Sequence, residues 1–241
     1  YNLNRTPKAV IEASKAETFQ IQCNDSDGTK PAELLIMDEI GKDFFGDGIG
    51  ASDVVGFLAN NQSKPVNVKI NSFGGSFYDG LVMYNAFLQH DADITATIQG
   101  IAFSAATLPA MGATRLVMSA QSDFGIHRAW TLAAGNQNEL RATVEWLESV
   151  DQHLIDVYQA KSKQTQGQID TWLDGTDDGT VFNASQAVEM GFADEVLERK
   201  VENTKANLAN LANLHRQKIK SRIRVTQACL LYTSPSPRDR G

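Results

Sequence analysis

ITATIQGIAFSAATLPAMGATRLVM, residues 94–118, decides the fold. ITATI (94–98) alternates as a strand. FSAATLPAMG (103–112) reads as a short helix disturbed by Pro109, and TRLVM (114–118) as a second strand. Strand, helix and strand in so short a span call for parallel strands joined by a crossover. The pattern continues outward on both sides. ELLIM (33–37) is a buried-strand candidate. SDVVGFLANN (52–61) sets Val54, Val55 and Leu58 at helical spacing, with Ser52 as the expected N-cap. VNVKI (66–70) puts Val66, Val68 and Ile70 on one strand face. GLVMYNAFLQ (80–89) is apolar nearly all round, which predicts a helix buried on several sides. The longest helix is expected over 138–161, its stripe formed by Leu140, Val144, Leu147, Leu154 and Val157. A further helix starts at Asn183, where Gln186 completes a capping box and Gly191 forms the C-cap. The expectation is one α/β domain over residues 30–200.

The two ends read differently. Residues 1–29 are polar and irregular, as in an N-terminal arm. Residues 201–228 form a charged, helix-prone tail. Within 229–241, CLLYTSPSPRD (229–239) matches the in-frame translation of a transposase sequencing adapter. It is read as a library artefact and set apart from the fold, which leaves Cys23 as the one genuine cysteine. The chain opens without Met and is expected to start within a longer protein.

Composition narrows the function classes. The net charge of −7 supplies no basic field, so nucleic acid is not an expected partner. No run of 18 apolar residues and no signal-peptide pattern occur, so no membrane association is expected. Two cysteines, Cys23 and Cys229, make no disulfide framework, and a cytoplasmic setting is the expectation.

Four segments carry candidate chemistry. INSFGGSFYDG (70–80) ends a strand in a glycine pair before a helix, where outward N–H groups can hold an oxyanion or a phosphate. It lacks the GK[ST] of a Walker A loop. QGIAFSAATLPAMGA (99–113) places Ser104 among small residues at a strand-to-helix turn. There its Oγ points outward, the Ala105 N–H has no earlier carbonyl to pair with, and the helix dipole favours a negative oxygen. A serine at such a place can equally be a plain N-cap, but the small neighbours leave room for a substrate backbone. SDFGIHRAW (122–130) brings His127 after a strand-like stretch, and a neutral imidazole can take a serine proton and return it to a leaving amine. His90, His153 and His215 have weaker claims. LDGTDDGTVFNASQAVEMGFADEV (173–196) offers Asp174, Asp177 and Asp178, one of which can orient an imidazolium. The loop does not follow the spacing of a calcium-binding EF-hand.

Taken in order, these segments resemble the proteolytic subunit family of Clp protease (ClpP). INSFGG is similar to its INSPGG loop, with Phe73 for the usual Pro. QGIAFSAA is similar to its G-x-A-A-S-x nucleophile segment, with Phe103 in place of a small residue. GIHRAW is similar to its MIH-x-P segment, with Ala129 for Pro. FNASQAVEMGFADEV is similar to its closing segment. The resemblance spans roughly residues 30–200. It implies a crotonase/ClpP-like fold of repeated ββα units with a long ring-joining helix, in which Trp146 and Leu147 would face another subunit or pack on their own core. It implies a serine endopeptidase with Ser104 as nucleophile, His127 as base, Asp178 as third member and Gly75 and Ala105 as oxyanion-hole donors, with Asp177 nearly as good as Asp178. No cofactor and no metal are implied. The implied partners are polypeptide substrates, copies of the same chain in a heptameric or tetradecameric ring, and a Clp ATPase. GIHRAW and the short polar stretch 131–138 are closer to the phage branch of the family, which processes capsid and scaffold proteins in prohead maturation. That branch places the protein in the host cytoplasm or the prohead.

Three other readings compete. A serine/lysine protease of the signal-peptide-peptidase type would need a lysine base, yet no lysine lies between Lys69 and Lys161. An acyl-CoA hydratase of the crotonase class would carry no Ser–His pair. A catalytically dead scaffold is the third.

Overall fold

The computed structural model describes residues 30–42, 46–175 and 179–197. The expected arm, the charged tail and residues 229–241 lie outside the described residues, as does His215.

Alternating apolar residues build the sheet. Strands β1 (Ala32–Ile36), β2 (Val66–Ser72), β3 (Ile94–Phe103) and β4 (Arg115–Ser119) lie side by side, and β7 (Glu195–Leu197) follows β4. All of these pairings are parallel. Leu34 and Ile36, then Val66, Val68 and Ile70, then Ile94, Ala96 and Ile98 turn one face of three successive strands into the core. Strand β3 is forked. Its first half pairs with β4, Thr95 to Ile98 against Arg115 to Met118. Its second half pairs with β5 (Asp123–Ile126), Ile101 to Phe103 against Asp123 to Gly125. Strand β6 (Thr180–Asn183) closes that side antiparallel to β5. This second pairing explains why the strand expected at 94–98 runs on to Phe103.

The helices are α1 (Ala51–Ala59), α2 (Phe77–Leu88), α3 (Thr107–Gly112, entered through a 3₁₀ turn at Ser104–Ala106), α4 (Gln137–Ser162), α5 (Gln166–Asp174) and α6 (Ala184–Glu189). Several expectations need correction. Helix α1 is capped at Gly50, and Ser52 lies inside its first turn; Asp53 Oδ2 accepts from the Gly50 N–H at 3.2 Å. Helix α2 starts earlier than expected, at Phe77, capped by Ser76, whose Oγ accepts from the Asp79 N–H. It is not buried all round, since Val82 and Leu88 stay 46% and 57% exposed. The stripe of α4 divides: Leu154 and Val157 are buried, whereas Leu140 and Val144 are 42% and 54% exposed. The first half of α4 therefore covers little of this chain's own core. Helix α5 was not expected, although its signals are in the sequence. Thr165 caps it by accepting from the Gln168 N–H, and Ile169 and Leu173 are buried one turn apart. Helix α6 has the expected Asn183–Gln186 capping box, and Gly191 follows at φ 84°.

Candidate active site

The glycine turn after β2 is set by its neighbours. Strand β2 bulges between Ile70 and Ser72. There Asn71 Oδ1 accepts from the Ile101 N–H at 3.2 Å, filling space that a side chain on Gly100 would occupy. Ser72 Oγ accepts from the Gly74 N–H at 3.1 Å. Gly74 and Gly75 then take φ values of 95° and 141°, where a side chain is strained. The Ile40 N–H donates to the Gly74 carbonyl and the Ser76 N–H to the Ile40 carbonyl, each at 2.8 Å, so Gly75 is held on both sides. Gly74 backs directly onto the next segment. A Cβ there would lie 2.7 Å from Ser104 Cβ and 2.9 Å from the Ala105 nitrogen.

Ser104 is the residue where β3 becomes helical. Phe103 is still extended at φ −122°, and Ser104 turns to φ 55°. A non-glycine residue in the left-handed region costs roughly 1–2 kcal/mol. The surroundings hold it there: Thr107 Oγ1 donates to the Ser104 carbonyl at 2.6 Å, and the Tyr158 hydroxyl lies 2.7 Å from Thr107 Oγ1. The threonine's single hydrogen goes to the carbonyl, so the phenol is the donor to Thr107. Burial pushes the Tyr158 phenol well above its ordinary value, which keeps that proton in place. The Ala105 N–H, in the first helical turn, has no earlier helical carbonyl to bond.

His127 follows β5, the strand beside β3. The register pairs Phe103 with Gly125, so Ser104 and His127 leave the carboxyl ends of neighbouring parallel strands, about 4.8 Å apart as such strands are. The Phe103 ring stacks on the imidazole with centroids 5.0 Å apart. From the other side Gly179 packs against the histidine; a Cβ on it would lie 2.6 Å from His127 Cβ. The next residue is fastened to α4 and α5. Arg128 donates to Asp174 at 2.5 Å, Asp170 at 3.1 Å and Asp151 at 3.3 Å. The Ala129 N–H adds a bond to Asp151 at 2.8 Å. Hydrogen bonding to Asp174 leads the causes that raise the Arg128 guanidinium above its ordinary value, and the same bond holds the Asp174 carboxyl below its own.

The structure thus brings Ser104, Ala105, His127 and the Gly74–Gly75 turn to the carboxyl ends of β2, β3 and β5. Asp177 and Asp178 lie outside the described residues. Asp174 is described, and its partner is Arg128. His90 is away from this cluster, its Nε2 3.0 Å from the Lys64 carbonyl before β3 begins, and His153 stacks on Phe77. No group of three or more His, Cys, Asp and Glu side chains among the described residues is placed to hold a metal. No helix among them is long and apolar enough to cross a membrane. Sequence reasoning missed the Tyr158–Thr107–Ser104 chain and the Arg128 cluster. An arginine next to the candidate base was the available signal for the cluster; the chain joins residues too distant in sequence to leave one.

Comparison with known proteins agrees with this architecture. The Clp protease family model matches residues 33–200. An ATP-dependent Clp protease proteolytic subunit from Ligilactobacillus salivarius is 27% identical over 144 residues, 59% of this chain and 72% of that protein. Subunit 1 from Prochlorococcus marinus is 28% identical over the same shares. A mutant of ClpP1 from Listeria monocytogenes has the same fold, with a TM-score of 0.59 at 19% identity, over 70% of this chain and 92% of that one. The chain belongs to the Clp protease family, whose members are serine-type peptidases, and it has the ClpP-like α/β fold.

Proposed function

We propose that this chain is a serine endopeptidase in which Ser104 is the nucleophile, His127 the general base and Gly75 and Ala105 the oxyanion-hole donors. The observation that carries the reading is Ser104 at φ 55°, held in a strained turn beside His127 and against the glycine turn. Strain of this kind persists where the surroundings over-determine it, and functional sites are where it gathers. Ser104 Oγ attacks the peptide carbonyl while its proton passes to His127. The oxyanion forms beside the backbone N–H groups, and its collapse expels the amine, which takes the proton back from His127. Water then repeats the sequence on the acyl-enzyme. Each oxyanion donor contributes on the order of 10²–10³ in rate. We assign the third position to Asp178, supported by its neighbour Gly179 packing against His127; Asp177 is the alternative. No cofactor enters this chemistry.

The exposed apolar positions Leu140 and Val144 on α4 support assembly of copies into a ring through that helix. For substrate we propose capsid and scaffold polypeptides of a phage prohead, on the likeness of GIHRAW and the polar stretch after it to that branch. The curated relatives are named as ATP-dependent subunits, which favours a second reading in which an unfoldase delivers general substrates.

The test is proteolysis of a casein and of a co-expressed capsid–scaffold pair, with and without a Clp ATPase and ATP. Ser104→Ala should abolish cleavage and His127→Ala should nearly do so, since such residues act as a unit. Cleavage by Ser104→Ala near the wild-type rate refutes the nucleophile. Casein cleavage that needs the ATPase overturns the prohead role.

A further inference from the structure

We infer that Phe103 is a positioning residue for the reaction: its ring holds the His127 imidazole face-on and favours the imidazolium that forms as Ser104 loses its proton. This rests on the reading of His127 as the base. The two rings lie 5.0 Å apart between centroids with their planes 11° from parallel, an offset stack. The placement comes from the strand register. Phe103 is the last residue of β3, one before Ser104, and its register partner on β5 is Gly125, two before His127. The ring lies across that glycine. A Cβ on Gly125 would overlap Phe103 Cδ2 and come within 2.6 Å of Cε2. One strand supplies the ring and its neighbour supplies the space.

The ring is not there to fill the core. Phe103 is half-buried and stands outside the hydrophobic core cluster, which takes Ala102 from β3 and Phe124 from β5 instead. Its aromatic partner is the imidazole. Two consequences follow for the chemistry. A parallel ring against one face restricts rotation of the imidazole about its Cβ–Cγ bond, so its nitrogens stay aimed along one direction. An aromatic face also attracts a cation. When the serine Oγ–H proton moves to a ring nitrogen of His127 and the Oγ–carbon bond forms, the charge created on the imidazole lies over that face. The interaction is strongest after proton transfer, so it acts on the rate more than on binding.

The test is the rate at which a fluorophosphonate phosphonylates Ser104, with loss of fluoride, at saturating probe, measured alongside the melting temperature. A stacked ring and a cation–π contact of ordinary size correspond to a slowing of about 5- to 30-fold in Phe103→Leu. The half-saturating probe concentration should move by less than about twofold, and Phe103→Tyr should restore the rate to within about twofold of wild type. In a His127→Ala background, Phe103→Leu should slow labelling by less than about twofold further. Gly125→Ala is the second variant. It leaves Phe103 intact but displaces its ring, and it should also slow labelling. Equal losses from Phe103→Leu with and without His127 overturn the role of Phe103, as does a Phe103→Leu rate equal to wild type. Labelling unchanged by His127→Ala overturns the assignment of the base itself.

Discussion

Replacing Thr107 by Val removes one hydroxyl and leaves the shape of a fully buried side chain almost unchanged. In the native chain Tyr158 donates to Thr107, and Thr107 donates to the Ser104 carbonyl. Thr107→Val strands the buried phenol and takes the hydroxyl donor from the carbonyl, which keeps its bond from the Thr107 N–H. A buried polar group left without its partner costs about 1–3 kcal/mol and a lost hydrogen bond about 1 kcal/mol, so the change costs about 2–4 kcal/mol. Tyr158→Phe alone strands neither donor, because Thr107 still serves Ser104, and its cost is about 1 kcal/mol. The two changes should therefore fail to add. Combined with Thr107→Val, Tyr158→Phe removes the stranded phenol and should return roughly 1 kcal/mol instead of costing it, a coupling of about 2 kcal/mol. Urea unfolding at one fixed protein concentration, with an unchanged slope, reads these differences. A Tyr158→Phe cost that is the same in both backgrounds, or a Thr107→Val stability within about 0.5 kcal/mol of wild type, would show that the two hydroxyls are not coupled.

Arg128→Ala leaves Asp151, Asp170 and Asp174 facing one another without their shared cation. The hydrogen bond from Arg128 holds the Asp174 carboxyl below its ordinary value, so this contribution to stability is present above the ordinary value and fades as the pH falls through the lowered one. The melting-temperature gap between wild type and Arg128→Ala should narrow from pH 6 to pH 3, and a gap that widens on acidification contradicts the ion-pair account. Gly74→Ala adds an atom 2.7 Å from Ser104 Cβ at a φ of 95°, where side chains are strained. A displacement of about 1 Å at a reacting group costs about 10²-fold in rate, so labelling of Ser104 by a fluorophosphonate should fall that far; wild-type labelling would show that the glycine turn does not fix the serine. Leu140→Glu with Val144→Glu places charge on the exposed half of α4. Sedimentation should show a smaller assembly with an unchanged circular dichroism spectrum, and an unchanged mass removes that helix from the interface.

Alternation made β1, β2 and the start of β3 legible, because Leu34, Val68 and Ala96 all face one core. Capping made α6 legible, because Asn183 and Gln186 satisfy each other's backbone within four residues. Expectations failed where the deciding contact is distant or the residue type is neutral. The end of β3 depends on β5, more than twenty residues on. The stripe on α4 has regular helical spacing, yet spacing cannot tell whether Leu140 meets this chain's core or another surface. Within the site, Ser104 and His127 stood out by residue type and order. The backbone strain at Ser104 did not, since positive φ is usually announced by glycine. Phe103 was visible only as a departure from the family's small residue, and its meaning emerged once Gly125 lay opposite it.

Peptide mapping after fluorophosphonate treatment shows which side chain of this protein is the nucleophile. The protein is labelled, digested and sequenced by mass spectrometry, beside its His127→Ala variant. A single adduct is expected on Ser104, formed rapidly in wild type and far more slowly without the imidazole. An adduct on another serine, or none while peptides are still cleaved, would contradict it.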